Sequence, residues 1–253
     1  MDPHSENYFS WTPYNYVANN PLLLIDPNGM DWYQDEKGNT TWKKGSEAIE
    51  GYKNIGANYS YRQGDLTLSF KQNEMITLEE HVLDPGDWKT SQTTNADGTK
   101  KQCFDATSEM TASSGAETLK GGKDYGIVTG NETNTSTTHE VNSTGNTGDA
   151  IAYINSQIDN GKSVAVGVDY RAGNGGGNND NITDHWVGIS SRVTDLKTSS
   201  TSFRFYDPGT SRKIMGTSAS NVLKLNSGGL LTGTTAYKTQ QNTYTVSQVR
   251  KNR

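Results

Sequence analysis

KQCFDATSEM, residues 101–110, contains Cys103, the only cysteine of the chain. A polar loop, residues 93–101, precedes it, and a proline-free segment with alanine, methionine and leucine, residues 104–119, follows it. This order predicts a helix over the second segment, with Cys103 at or just before its first turn. The free N–H groups and the dipole at a helix start favour a thiolate and lower the pKa of a cysteine. A thiolate is the nucleophile that acyl-transfer chemistry requires.

Cys103 also has a purely structural interpretation. Free cysteines are among the most deeply buried residues and commonly act as small apolar side chains. A single cysteine forms no internal disulfide and does not build the usual cysteine-rich zinc sites. The choice between an inert and a reactive Cys103 therefore depends on the groups that the rest of the chain brings to it.

The composition is that of a polar chain with short strands and long loops. Hydrophobic residues make up 31% of the 253, glycine occurs 27 times, and the mean hydropathy is −0.80. A chain of this length buries about 70% of its unfolded surface and needs no covalent staples. The net charge is −5, without a basic block or a basic–aromatic stripe, which argues against nucleic-acid binding.

Metal binding and membrane insertion are not indicated. The four histidines are His4, His81, His139 and His185. They are far apart and no pair has helical ligand spacing, so neither a metal nor another cofactor is expected, and His139 is interpreted as solvated in a polar loop. No apolar run approaches the roughly 18 residues of a membrane-spanning helix. Residues 1–30 have no basic start and apolar run, so we predict no signal peptide and interpret the beginning as that of a fragment.

The first part of the chain carries two specific motifs, PYNYVANNP at residues 13–21 and IDPNG at residues 25–29. Asn-Pro and Asp-Pro-Asn-Gly are turn signals. The two motifs resemble the end of the core of rearrangement-hotspot (RHS) repeat proteins. The resemblance implies that a variable C-terminal toxin follows and is delivered into a neighbouring cell by a specialised secretion system such as type VI. It also implies an immunity protein in the producing cell.

Three regions are predicted: residues 1–31 as the end of an RHS core, residues 32–88 as a linker with a small β region, and residues 89–253 as the catalytic domain. In the middle region, a hairpin turn is predicted at residues 35–39 and an alternating strand at residues 65–70.

The third region combines predicted helices and strands. Ile151, Ile154 and Ile158 recur at helical spacing and predict an amphipathic helix over residues 149–160. Strands are predicted at residues 163–168, 184–190, 202–206, 222–225 and 243–246. The glycine-rich loop 171–181 is not a phosphate-binding loop, because a strand follows it; it is predicted to be a mobile connection.

His185 stands at the start of one of these strands, and Asp207 directly follows the next. If the two strands are antiparallel neighbours, the start of one lies beside the end of the other, and both side chains reach one edge of the sheet. A helix packed on that sheet can point Cys103 to the same edge. A nucleophile, a general base and a group that orients the base are the parts of a thiol hydrolase.

Each of these residues has a simpler alternative. His185 fits a packed edge histidine, and Asp207 fits a turn aspartate. Asp184 is a rival partner for His185, although adjacent residues of a strand point to opposite faces. Asp105 and Glu109 are interpreted as a solvated or capping pair rather than an acid–base pair.

Taken together, the motifs resemble the papain-like cysteine peptidases, close to the bacterial branch of bacteriocin-processing peptidases and secreted toxins. They are QCFDA at residues 102–106, GKSVAVGVDY at residues 161–170, TDHWVGI at residues 183–189 and FYDPG at residues 205–209. The resemblance implies an α+β papain-like fold, in which an N-terminal helix carrying the cysteine packs on an antiparallel sheet carrying the histidine and the aspartate. It assigns Cys103 as nucleophile, His185 as general base and acid, and Asp207 as the orienting group.

The chain departs from that family at the oxyanion hole. The family has a glutamine several residues before the cysteine, whereas Gln102 is immediately adjacent to Cys103 and Gln92 is too far away without an insertion. The backbone N–H of Cys103 supplies one donor, and the second is unassigned. One such donor is worth about 100- to 1000-fold in rate.

Three hypotheses for function follow. The resemblance implies a toxin that hydrolyses peptide or amide bonds in a protein or peptide substrate of a target cell, with an immunity protein covering its cleft. The same three residues also fit a deamidase or transglutaminase, or a peptidoglycan amidase. A hypothesis from another class is a non-catalytic binding module in which Cys103 is buried.

Overall fold

The computed structural model of the chain describes residues 24–25, 31–37, 40–43, 48–56, 58–71, 74–130, 141–170, 182–237 and 243–253. Most of the RHS-like motifs, His139 and the loop 171–181 lie outside these residues, so the interpretations made for them stay predictions. The chain divides into two compact units, residues 1–79 with 194–200 and residues 80–193 with 201–253. The roles assigned to the three predicted regions also stay predictions.

The described part of the first unit is built of strands. Their bounds are β1 (Leu24–Ile25), β2 (Asp31–Asp35), β3 (Thr40–Lys43), β4 (Tyr52–Gly56), β5 (Asn58–Gln63), β6 (Leu66–Lys71) and, for most of its length, β7 (Glu74–His81). Strands β1 to β4 form a sheet in the order β1-β3-β2-β4, and β5 pairs antiparallel with β6. Trp32 is buried, with the rings of Tyr59 and Phe70 centred 5.4 and 5.5 Å from its own. The hairpin predicted between β2 and β3 and the strand predicted at β6 are confirmed.

The described part of the second unit contains three α-helices, a 3-10 turn (Pro85–Asp87) and most of the remaining strands. The helices are α1 (Cys103–Ser113), α2 (Thr147–Asp159) and α3 (Lys213–Gly216). The strands are β8 (Asp124–Gly126), β9 (Val128–Gly130), β10 (Val141–Ser143), β11 (Ala165–Asp169), β12 (His185–Asp195), β13 (Ser200–Tyr206), β14 (Val222–Leu225), β15 (Leu231–Thr234) and β16 (Thr243–Arg250). The last two residues of β12 and the first of β13 belong to the first unit. Among the described residues, no helix is long and apolar enough to cross a membrane.

Six of these strands close into an antiparallel barrel. Their order is β11-β16-β15-β14-β13-β12, and β12 pairs back with β11, from Ala165 opposite Gly188 to Val168 opposite His185. The prediction of an α+β papain-like fold, with the cysteine helix packed on an antiparallel sheet, is therefore wrong: the protein is mostly β and this sheet is closed. Side chains alternate along a strand in the same way whether a sheet is open or closed, so the sequence pattern carries no signal for closure.

The main core lies inside the barrel and under α2. Phe203, Phe205 and Val187 are at most 1% exposed, and they share a cluster with Ile154 and Ile158 of α2. The isoleucine spacing thus predicted α2 and its buried face correctly.

Helix α1 is shorter than the predicted segment, which extended to Leu119. It ends at Ser113 because the chain turns at Gly115, which has a φ of +74°. That left-handed conformation favours glycine, and the N–H groups of Ser114 and Gly115 close the last turn on the carbonyls of Thr111 and Ala112.

Candidate active site

Cys103 is the first residue of α1. Gln102 precedes it in an extended conformation, and its backbone N–H donates to Oδ2 of Asp105 at 3.3 Å. Asp105 therefore acts as a helix cap. Glu109 forms an ion pair with Lys101 at 2.7 Å. These two carboxylates have the capping and surface roles expected of them, which leaves the sulfur as the reactive group at this helix start.

The start of β12 holds the sulfur in place. The His185 ring and the Trp186 backbone lie close enough to Cys103 Sγ to lower its pKa, and the Cys103 side chain packs in a cluster with Phe104 and Trp186. One turn later in α1, the buried hydroxyl of Thr107 donates to the carbonyl of Trp186 at 3.1 Å. Trp186 thus fixes the first turns of α1 against the start of β12, where His185 lies.

His185 and Asp207 meet at the same end of the barrel. Asp207 directly follows β13, and its Oδ1 lies 2.8 Å from Nε2 of His185. Because Nε2 faces the carboxylate, Nδ1 is the ring nitrogen available to Cys103. The rival Asp184 instead accepts a hydrogen bond from the backbone N–H of Tyr170 at 3.2 Å. The fold therefore brings the three predicted residues together, although their catalytic roles stay predictions.

Asp207 is completely buried and accepts four hydrogen bonds. Oδ1 accepts from His185 and from the Gly209 N–H at 2.8 Å, and Oδ2 accepts from the hydroxyls of Thr235 at 2.7 Å and Tyr244 at 2.9 Å. Burial raises the pKa of this carboxyl, but the charge of His185 and the hydrogen bonds outweigh burial and hold the pKa below its usual 3.8. No pattern in the sequence had pointed to Thr235 or Tyr244.

The neighbouring groups raise the pKa of His185 and lower the pKa of Cys103, which favours transfer of the thiol proton to the imidazole. Burial disfavours the imidazolium, but the charge and hydrogen bond of Asp207, with the hydrogen bond of Cys103, raise the pKa of His185 to about 10. Burial likewise disfavours the thiolate. The hydrogen bond and charge of His185, and the N–H groups of Trp186 and Phe104, outweigh that burial and lower the pKa of Cys103 from 9.0. Both shifts favour a thiolate beside an imidazolium.

The segment of residues 88–92 binds the turn that carries Asp207. Trp88 Nε1 donates to the carbonyl of Asp207 at 2.8 Å. Ser91 binds the carbonyl of Pro208 twice, through its N–H at 2.8 Å and its hydroxyl at 3.0 Å. Because the chain runs directly from this segment into the loop before Cys103, it connects the turn to the nucleophile.

Gln92 belongs to this same segment and lies beside the Asp207 turn. Its Nε2 donates to the carbonyl of Gly209 at 3.2 Å. The N–H of Lys101 donates to the carbonyl of Thr93 at 3.0 Å, so the intervening residues fold back as a hairpin. That hairpin returns the chain from Gln92 to the residues just before Cys103.

No family model, curated protein or solved structure matches this chain. In the part of the chain that the structure describes, no group of three or more His, Cys, Asp or Glu side chains could hold a metal ion. Fold and site together define a closed-barrel β protein with Cys103, His185 and Asp207 close together at one end of the barrel.

Proposed function

We propose that this protein is a cysteine hydrolase that cleaves peptide or amide bonds. The observation that carries the proposal is the buried His185–Asp207 pair, whose hydrogen bond is 2.8 Å long, beside the Cys103 thiol, whose pKa the His185 ring lowers. The proposal keeps the chemistry that the resemblance to papain-like peptidases implies, but not their fold.

The proposed reaction proceeds through a thioester. The Cys103 thiolate attacks the carbonyl carbon and forms a C–S bond, and imidazolium His185 gives its proton to the leaving amine as the C–N bond breaks. Neutral His185 then takes a proton from water, whose oxygen attacks the thioester and releases the carboxylic acid and the thiolate. The backbone N–H of Cys103, at the helix start, is one donor to the oxyanion.

The setting of this reaction is proposed from the sequence motifs alone. We infer that the hydrolase is a toxin carried behind an RHS core, delivered into a neighbouring cell, and neutralised in the producer by an immunity protein. Its substrate would be a protein or peptide of the target cell. The motifs at residues 13–21 and 25–29 support this setting, and toxicity tests it.

The partial exposure of Cys103, and the lowering of its pKa by the neighbouring His185, argue against a binding module with an inert, buried cysteine. Alkylation of the native protein with iodoacetamide tests this directly, because Cys103 is the only thiol of the chain. We expect the alkylation rate to titrate with a pKa below the value of about 8.5 for a free cysteine. Labelling that begins only after denaturation would contradict the proposal.

Three substrates offered side by side distinguish the enzymatic alternatives: dye-labelled casein, a peptidoglycan peptide fragment and a glutamine-containing peptide. Cleavage of casein supports a peptidase, and release of ammonia from the glutamine peptide supports a deamidase. Each reaction is expected to cease in Cys103→Ala. If the Cys103→Ala variant were still toxic to a susceptible cell, this result would contradict a catalytic role.

Gln92 is proposed as the second oxyanion donor. Its amide binds Gly209 with one N–H, and its other polar contact, to the Ser91 hydroxyl, is long at 3.5 Å, which leaves an N–H for a substrate. We expect Gln92→Ala to lower kcat about 100- to 1000-fold on whichever of the three substrates is turned over. The alkylation rate should stay unchanged, because that reaction forms no oxyanion.

Gln102 provides the matched control for this substitution. It is exposed, adjacent to Cys103, and its amide donates to the carbonyl of Lys100 at 3.3 Å. Gln102→Ala should change kcat only a few-fold. Equal losses in the two variants, or no loss in Gln92→Ala, would remove Gln92 from the oxyanion hole.

A further inference from the structure

We propose that Thr235 and Tyr244 are positioning residues of this site, whose two hydroxyls hold Asp207 against His185 as a carboxylate. The inference rests on the proposed function, because it concerns how the same site keeps its nucleophile charged. Both hydroxyls bind Oδ2, while Oδ1 faces His185 and the Gly209 N–H. One carboxylate oxygen thus serves the histidine, and the other is held by two side chains from elsewhere in the barrel.

The two hydroxyls come from neighbouring strands. Thr235 directly follows β15, and Tyr244 is the second residue of β16, which pairs with β15 through Gly233 opposite Tyr244. Both residues are buried. Thr235 Oγ1 accepts a hydrogen bond from the N–H of Tyr237 at 3.3 Å, which leaves its own hydrogen for Asp207. A carboxylate only accepts, so both hydroxyls must donate to it.

The titratable groups around this carboxylate come from several elements. His185 faces it from β12 and Tyr244 from β16. Cys103 of α1 lies behind His185, and the Tyr170 ring, just after β11, is centred 5.6 Å from that of Tyr244. Burial, together with the negative charge of Asp207, raises the pKa of Tyr244, so the phenol remains a neutral donor at alkaline pH.

Removing these donors should raise the pKa of Asp207. A completely buried carboxylate that loses hydrogen bonds to its charged form becomes harder to ionise. Protonated Asp207 no longer stabilises the imidazolium of His185, and the thiolate of Cys103 then loses its counter-charge. One remaining hydroxyl still satisfies Oδ2, so the effect of removing both should exceed the product of the two single effects.

The test uses Thr235→Val, Tyr244→Phe and the double variant in the full chain, with the pH profile of iodoacetamide alkylation at Cys103 as the readout. Each single variant should raise the alkylation pKa and slow labelling at pH 7 by less than about 10-fold. The double variant should slow it about 100-fold or more, with a pKa at or above that of a free cysteine of about 8.5. Thr235→Ser keeps the hydroxyl and should match the wild-type protein.

Tyr153→Phe serves as the control for loss of a hydroxyl elsewhere. Tyr153 lies on α2, and its hydroxyl accepts a hydrogen bond from the Asn252 N–H at 2.6 Å. Removal of this hydroxyl should lower Tm but leave the alkylation profile unchanged. A folded double variant with the wild-type profile would overturn the positioning role and leave the proposed hydrolase standing. If the double variant does not fold, an unshifted profile in both single variants has the same meaning. An unreactive Cys103 in the wild-type protein would instead overturn the hydrolase itself.

Discussion

The His185→Gln variant should lose the reactivity of Cys103 at neutral pH. His185 provides the hydrogen bond and the positive charge that offset burial of the sulfur, so its removal leaves burial dominant and raises the pKa of the thiol above 9.0. At pH 7 such a thiol is ionised to roughly 1% or less, and we expect alkylation to slow about 100-fold or more. The measurement is the rate of iodoacetamide labelling of the native protein between pH 5 and pH 10.

His81→Gln is the matched control. His81 is half-buried at the end of β7, where the N–H of the next residue, Val82, donates to the carbonyl of Ser190, five residues beyond His185 along β12. This variant should keep the alkylation profile of the wild-type protein. In denaturant, the wild-type protein, His185→Gln and His81→Gln should all be labelled at the same rate. A His185→Gln protein that still reacts rapidly at pH 7 would show that the thiolate, if present, has another source.

The meeting of His185 and Asp207 was predictable because it depends on local order alone. One residue begins a strand, the other ends the next, and antiparallel neighbours bring such positions together. Cys103 was predictable as a helix start for the same reason: the polar loop before it and the apolar segment after it are adjacent in sequence. The positions of Cys103, His185 and Asp207 in the candidate site were therefore predictable from their places at the ends of helices and strands.

The rest of the site depends on pairing between distant segments. Thr235 follows a strand and Tyr244 lies within one, and nothing in their local sequence distinguishes them from other threonines and tyrosines. Their hydroxyls reach Asp207 only because β15 and β16 pair in one register inside a closed barrel. The residues between Gln92 and Cys103 were interpreted as a plain polar loop, whereas they form a hairpin.

Protonation of the Cys103–His185 pair also determines how the free energy of unfolding depends on pH. The pKa of His185 rises from 6.5 unfolded to about 10 folded, so alone it contributes stability that is complete below pH 6.5 and is lost as the pH rises to about 10. The pKa of Cys103 is lowered from 9.0, so alone it contributes stability that is present above pH 9.0 and is lost as the pH falls through the folded value. Above the lowered pKa of Cys103 and up to pH 9.0 the folded pair holds one proton, on His185, and above pH 6.5 the unfolded pair also holds one, on Cys103. The two contributions then cancel in slope.

Cys103→Ala should break this cancellation. The folded variant keeps a proton on His185, because Asp207 is the larger cause of its raised pKa, while the unfolded variant holds none above pH 6.5. Its free energy of unfolding, relative to that of the wild-type protein, should therefore fall with rising pH by up to about 1.4 kcal/mol per pH unit between pH 6.5 and 9. Urea unfolding of both proteins at half-unit pH steps measures this difference, and the slope should vanish in Cys103→Ala/His185→Gln. A constant difference between the wild-type protein and Cys103→Ala across that range would mean that His185 is neutral in the folded protein and that the thiolate–imidazolium pair does not form.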